Sequence, residues 1–465
     1  MRSQSVRHAA IFALILSLFS RLTTSAQNIV VSPLHTFTQV GGSSQAVSLT
    51  PGKTDGALYG TTHLDQTNGT VFTINPDGSG YNVLHVFGSQ ESIGHDPGTG
   101  ISDPYVTQGS DGHLYGTTPA GGAFGFGTVF KLNANGSGYT IIHDFASITD
   151  SGPAALMQAS DGFFYGAGSS IFKMDANGSN YSILYHFTNG LDGYDPLSPL
   201  LQGTDGALYG TTFAGGTNGY GTIFTIQTNS TGFKILHAFA LGDGANPIGG
   251  LIQGSDGALY GTTSDSGPSG PDGSGGTIFK IDTSGNTFQV LHTFNAPPND
   301  GAAILSGLVE GSKNILYGTT YLGGSSSFGV IFRIGLDGSN YLPLYYFTNS
   351  SPTGSQPITG LVKSQSQSDS GVFYGTTSRG NGGASGSGTI FAALINPPLT
   401  ITPDISQTTS NQTILVWPKW AGTYSLQSTT NIASGNWVNV TDGVPVFGVK
   451  VTSTNPAMFY RLVSP

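Results

Sequence analysis

Apolar and polar positions alternate along this chain in short bursts that come in a fixed order. Within residues 250–294 four apolar runs follow one another. They are Gly250-Leu251-Ile252-Gln253, Ala258-Leu259-Tyr260-Gly261-Thr262, Gly276-Thr277-Ile278-Phe279-Lys280-Ile281 and Phe288-Gln289-Val290-Leu291-His292-Thr293-Phe294. Each run has the length of a strand and is bounded by turn residues, so the pattern predicts strands and no helix. Gly254-Ser255-Asp256-Gly257 separates the first pair and Thr283-Ser284-Gly285-Asn286 the last. The second turn recurs as Asp77-Gly78, Asn135-Gly136, Asn177-Gly178 and Asp337-Gly338. Such pairs tolerate the positive φ of tight hairpins. One unit thus reads as a four-stranded antiparallel meander.

The meander is repeated. Tyr59, Tyr115, Tyr165, Tyr209, Tyr260, Tyr317 and Tyr374 mark seven copies, and 374 − 59 = 315 residues over six intervals gives about 52 per copy. A closing pattern, Leu/Ile-His/Tyr-x-Phe, ends the units at Phe87, Phe145, Phe187, Phe239, Phe294 and Phe347. A further copy, Leu34-His35-Thr36-Phe37, precedes the first unit. The seventh unit stops after its third strand, Gly388-Thr389-Ile390-Phe391, and runs into Asn396-Pro397-Pro398. A fourth strand missing at one end and spare at the other is what ring closure requires. The expected fold is all-β, a seven-bladed β-propeller over residues 27–396 whose N-terminal strand completes the last blade. Past that point the repeat ends and Trp417, Trp420 and Trp437 appear. Short apolar runs there predict a small C-terminal β-sandwich-like domain over residues 397–465.

Composition narrows the class. Of 465 residues 71 are glycine, without a triplet period, which excludes collagen and signals many turns. Charged residues make up 9% and aromatics 11%, the reverse of a disordered chain. A net charge of −10 gives no footprint for a nucleic-acid partner. With no cysteine there is neither a disulfide framework nor a thiolate metal site, and no metal or cofactor is expected. At the N-terminus Arg2 and Arg7 precede an apolar stretch over residues 9–19 and the small residues Thr24-Ser25-Ala26. That reads as a signal peptide, residues 1–26, cleaved near Ala26. The stretch is short of the roughly 20 residues of a spanning helix, so the mature chain is expected to carry no transmembrane segment and to be secreted or displayed at the outer cell surface.

The unit Gly-Ser-Asp-Gly-x-Leu-Tyr-Gly-Thr-Thr, followed by Gly-Gly, Gly-Thr-Val/Ile-Phe-Lys and Leu-His-x-Phe, resembles the GloVer tandem-repeat family. These are exported bacterial proteins whose repeat arrays carry varied C-terminal attachment modules. The resemblance implies export and brings no catalytic residues with it.

Candidate chemistry divides between regular and irregular positions. His35, His85, His143, His237 and His292 share one outer-strand position, but Tyr185 and Tyr345 fill it in other blades. Equivalent positions on a ring also lie too far apart to share a metal, so these histidines read as structural. The seven tyrosines read as inter-blade packing, with the hydroxyl capturing a backbone group. Asp55, Asp111, Asp161, Asp205 and Asp256 read as turn formers.

The second-to-third loops and inter-blade connectors vary and share one face, where a rigid scaffold tends to carry function. The candidate ligand-binding residues are His95, Asp96, Phe124, Phe126, Asp192, Tyr194, Asp195, Asp243, Asp300 and Arg379. Carboxylates accept hydroxyl hydrogen bonds and ring faces cover the apolar side of a sugar. The expectation is a non-catalytic module that binds extracellular glycan or protein. A glycan hydrolase or lyase using His95 and Asp96 is the alternative, and a purely structural envelope protein the third reading.

Overall fold

The repeated tyrosine lies on the second strand of each of seven blades in this computed structural model. Those strands are Leu58–Leu64, Leu114–Thr118, Phe164–Ala167, Leu208–Thr212, Leu259–Thr263, Ile315–Thr320 and Val372–Arg379. The structure describes residues 29–37, 44–64, 67–88, 105–150, 155–240, 242–265, 275–294, 300–311, 314–363, 371–380 and 385–395. Towards the C-terminus it describes 402–404, 412–416, 425–429, 438–439, 448–452 and 459–463. All the regular elements described are strands.

Within residues 29–395 each repeat forms the expected meander. In blade two, Val106–Gln108, Leu114–Thr118, Thr128–Leu132 and Thr140–Asp144 pair antiparallel in chain order. Blade seven borrows its fourth strand. Ile29–Thr36 pairs antiparallel with Ser385–Ile395, with Ile29 opposite Ile395 and Thr36 opposite Thr389. A bulge recurs between the third and fourth strands, at Val129/Phe130, Ile171/Phe172, Ile223/Phe224 and Ile278/Phe279. The phenylalanine beside it is buried and lies over the glycine that follows the repeated tyrosine. A Cβ on Gly116 would stand 2.2 Å from the Phe130 ring, so no larger residue fits.

The core sits between blades. Tyr115, Val129 and Phe145 of blade two pack on Leu156, Phe164, Phe172 and Met174 of blade three. One such cluster fills each interface round the ring, including that between blades seven and one, where Tyr374 and Ile390 meet Leu49, Leu58 and Phe72. The first threonine after the repeated Tyr-Gly adds a bond across the interface. Thr262 Oγ1 donates to the Ser306 carbonyl at 2.8 Å, Thr319 Oγ1 to that of Thr359 at 3.1 Å, and Thr376 Oγ1 to that of Ala46 at 2.9 Å.

The tyrosine hydroxyls correct one expectation. They donate chiefly to a side chain, the turn aspartate four residues earlier: Tyr115 to Asp111 at 2.7 Å, Tyr165 to Asp161 and Tyr209 to Asp205 at 2.6 Å. Tyr260 meets Asp256 at 2.7 Å and lies 3.1 Å from the Leu336 carbonyl. The same aspartates accept the N–H two residues on, as Asp205 does from Ala207 at 3.1 Å. Each carboxylate therefore closes its turn and ties down the ring beneath it.

Residues 396–465 group apart from 29–395. Their described strands form two three-stranded sheets. Thr402–Asp404, Gln412–Val416 and Gly448–Thr452 make one, and Val438–Asn439, Ser425–Thr429 and Phe459–Val463 the other. The three tryptophans lie outside the described residues, as does the N-terminal segment 1–28. Among the described residues no helix is long and apolar enough to cross a membrane.

Candidate ligand-binding face

The connectors between blades return to the second-to-third loops and pair with them. Tyr194 bridges Ala214, Ala245 bridges Asp265, Gly301 and Ala302 pair with Gly323 and Leu322, and Ser355 pairs with Arg379. Just beyond each contact sits a residue of positive φ: Asp195 at 54°, Asn246 at 58°, Ala303 at 53° and Gln356 at 59°. The backbone at that point joins two blades. Asn246 N–H donates to the Tyr220 carbonyl of the preceding blade, while its own carbonyl accepts from Ser264. Ala303 does the same between Gly275 and Tyr321. The variable loops thus form a stitched rim, held by main-chain bonds.

Three of the expected ligand residues spend their oxygens inside this rim. Asp192 is buried and accepts from the Tyr185 hydroxyl at 2.9 Å, the Thr188 N–H at 2.7 Å and the Thr188 hydroxyl at 2.7 Å. Desolvation works against its charge, but these bonds outweigh it and hold the carboxyl below its usual range. Asp243 Oδ2 meets His237 Nε2 at 2.9 Å and its Oδ1 accepts the Ala240 N–H. Asp300 takes His292 Nε2 at 3.1 Å and the Tyr341 hydroxyl, and despite desolvation these bonds likewise keep it ionised.

The histidines are placed by the same contacts. Each stacks on an aromatic ring of the next blade: His35 on Tyr81, His85 on Tyr139, His143 on Tyr181, His237 on Phe288 and His292 on Tyr341, with ring centroids 3.6 to 4.0 Å apart. Tyr185 on Phe233 continues the series at 3.6 Å. Desolvation pushes His35, His143 and His237 below the ordinary imidazole value. Among the described residues no group of three His, Asp or Glu side chains is arranged to hold a metal ion.

What the loop face leaves at or near the surface is a smaller set. Phe124 is 59% exposed and Tyr194 37%. Asp195 follows Tyr194 at the surface, and protein packed around its carboxyl raises the pKa by desolvation even though the residue keeps solvent exposure. Phe126 is half-buried against the core between blades two and three, and Arg379 is half-buried on the strand paired with Ser355. His95 and Asp96 lie outside the described residues. Two exposed apolar residues join this set that sequence reasoning passed over: Ile148, 73% exposed, and Leu191, 71%. An apolar residue inside a Ser/Thr/Gly/Asp connector was the signal that could have found them.

The opposite face, made of the short turns, carries a second feature missed in the sequence. Gln158 Oε1 accepts the Ser110 N–H of the preceding blade at 2.7 Å, and its Nε2 donates to Gly162 O of its own turn. Gln202 repeats this with Ser160 and Gly206, and Gln253 with Thr204 and Gly257. Glu310 accepts from both the N–H and the hydroxyl of Ser255. In blades three to six one side chain staples adjacent turns.

A closed ring of meanders, stitched at both rims and varied most in the loops of one face, defines a repeat-built β-propeller. The chain belongs to the Gloeobacter/Verrucomicrobia repeat family, whose model matches residues 17–197 and 167–391. No curated protein matches it. Among solved structures it is similar to a prolyl endopeptidase, at 11% identity and TM-score 0.44, over 81% of this chain and 55% of that one. A gluconolactonase from Xanthomonas campestris gives 10% identity and TM-score 0.41 over 81% and 93%. A nidogen/laminin complex gives 12% and 0.38 over 59% and 89%. Likeness at this level carries no inference about activity.

Proposed function

We propose that this protein is an exported, non-catalytic binding module that recognises an extracellular glycan or protein through the loop face of its propeller. The observation that carries this is the pairing of exposed Tyr194 with the unspent carboxylate of Asp195 on a connector fixed by main-chain bonds. An aromatic face and a carboxylate side by side cover the apolar side of a sugar and accept its hydroxyls. Phe124, Ile148 and Leu191 extend the apolar surface offered by blades two and three and their connectors. Cleavage near Ala26 would deliver the chain outside the cell, and the C-terminal sheets, read as a small sandwich, would assist attachment.

The test is a glycan array probed with purified residues 27–465, with release of new reducing ends assayed on the same sugars. Retention without release, lost in the double variant Tyr194→Ala and Asp195→Ala, is the expected result. Release of new ends would replace a binding role with a catalytic one. Retention that survives the double variant would remove the loop face from the account.

A further inference from the structure

Blade six departs from the repeat at its first turn. Blades one to five place Asp55, Asp111, Asp161, Asp205 and Asp256 there, whereas blade six has Lys313, followed by Asn314 in place of glycine. The consequence falls on a cation of the third strand. Lys131 and Lys280 stand opposite the repeated tyrosines of their blades. Each ammonium reaches the turn aspartate of its own blade, Lys131 at 3.4 Å and Lys280 at 2.7 Å. Arg333 holds the same register, opposite Tyr317. Among the described residues no hydrogen bond or ion pair engages its side chain, and its Nε is buried without a partner. A buried donor left unmade is destabilising, more so when charged.

Arg333 lines an open cleft of about 500 Å³ between blades five and six, on the face of the short turns. Asn314, Ser339 and Asn340 line it too and are exposed there. Asp256 and Asp337 also border it, but both are engaged locally, Asp256 by Lys280 and Tyr260 and Asp337 by the Ser339 N–H. The two terminal nitrogens of a guanidinium offer parallel N–H groups, which match the two oxygens of one carboxylate. The neighbouring carboxylates disfavour a second negative charge, so a monoanion suits the cleft better than a phosphate. Two amides and a hydroxyl around the guanidinium suit ring hydroxyls.

We propose that this cleft binds a sugar acid, the carboxylate of a uronate residue seated on Arg333 with its hydroxyls exchanged among Asn314, Ser339 and Asn340. The site lies on the face opposite the loops and stands independently of the loop-face reading. Calorimetric titration of purified residues 27–465 with trigalacturonate tests it. Trigalacturonate is expected to bind and its methyl ester not to. Arg333→Gln should weaken binding at least tenfold. Arg333→Lys, which keeps the charge but not the fork, should fall between. Asn340→Gly, which preserves the backbone conformation and removes an amide, should weaken binding several-fold and covers the case in which Arg333→Gln fails to fold. The Tyr194→Ala, Asp195→Ala double variant should leave this titration unchanged. Absence of binding by trigalacturonate, equal binding of the ester, or a folded Arg333→Gln protein that binds like the parent would overturn the proposal. Equally tight binding of a short peptide through its free C-terminus would overturn the sugar assignment.

Discussion

The hydroxyl of Thr376 donates to the carbonyl oxygen of Ala46 at 2.9 Å across a sequence separation of 330 residues. Thr262 and Thr319 make the same bond to the next blade along the chain. The junction of last blade to first therefore uses the chemistry of an internal interface. Thr376→Val removes the donor at nearly constant shape and leaves a buried carbonyl short of a partner, a loss of about 1–3 kcal/mol. Thr262→Val should lose a similar amount. Urea denaturation of both variants checks this, and an unchanged midpoint for Thr376→Val would show that the seam does not depend on it.

Two glycines separate backbone conformation from inter-blade contact. Gly162 and Gly178 have φ of 85° and 83°, and both end tight turns. A Cβ on Gly162 would meet nothing within 4 Å, whereas one on Gly178 would stand 2.0 Å from the Ile142 carbonyl of the preceding blade. Gly162→Ala should cost about 1–2 kcal/mol from the left-handed conformation alone. Gly178→Ala adds an overlap worth about 1–3 kcal/mol, for a total of roughly 2–5 kcal/mol. Equal melting temperatures for the two variants would contradict the packing of that turn on the neighbouring strand.

The glutamine staples should be sensitive to the loss of the acceptor. Gln202→Ala frees the Ser160 N–H and the Gly206 carbonyl together, at about 1 kcal/mol for each bond lost. Gln202→Glu keeps the acceptor, as Glu310 does naturally, and should lose about half as much. Hydrogen exchange at Ser160 reads the bond directly. Faster exchange is expected in Gln202→Ala and little change in Gln202→Glu.

Acid should destabilise the propeller in two stages. His35, His143 and His237 have folded pKa values held below 6.5 by desolvation. The unfolded chain therefore binds more protons below pH 6.5, so stability is full above that value and falls as the pH drops through it. Asp192 and Asp300 are shifted below 3.8, so their contribution is present above 3.8 and is lost only under stronger acid. His35→Phe, which keeps a ring to stack on Tyr81, should reduce the slope of stability against pH between 7 and 5. A slope identical to the parent's would show that His35 is not held neutral in the fold.

The ring was legible because each blade restates it. Tyr115, Phe130 and Phe145 recur in register, and Leu34-His35-Thr36-Phe37 lies at the wrong end of the chain for anything but closure. The loop residues were harder to read. Asp192, Asp243 and Asp300 look like ligand groups in one dimension because they stand in irregular connectors. In three dimensions they brace Tyr185, His237 and His292 of the outer strand just behind them. The staples were visible in principle, since Gln108, Gln158, Gln202 and Gln253 recur before the first turn. Their partners, however, lie a whole blade away, at separations such as the 48 residues between Ser110 and Gln158, and no local pattern reveals that. The free cation of blade six was hidden for a related reason. Lys313 reads as a harmless replacement until Arg333 is seen to share its register with Lys131 and Lys280.

The stitches on the loop rim use only amide and carbonyl groups of Asn246, Ala303 and their neighbours. An amide contributes the same bond whatever side chain it bears, provided the residue tolerates a positive φ. Asparagine, alanine, glutamine and aspartate already occupy that position in four blades. Mutation can therefore rewrite what the rim displays to the outside without loosening the hoop that supports it. A lineage carrying this repeat can change the surface it presents by drift in a few side chains while its stability barely moves.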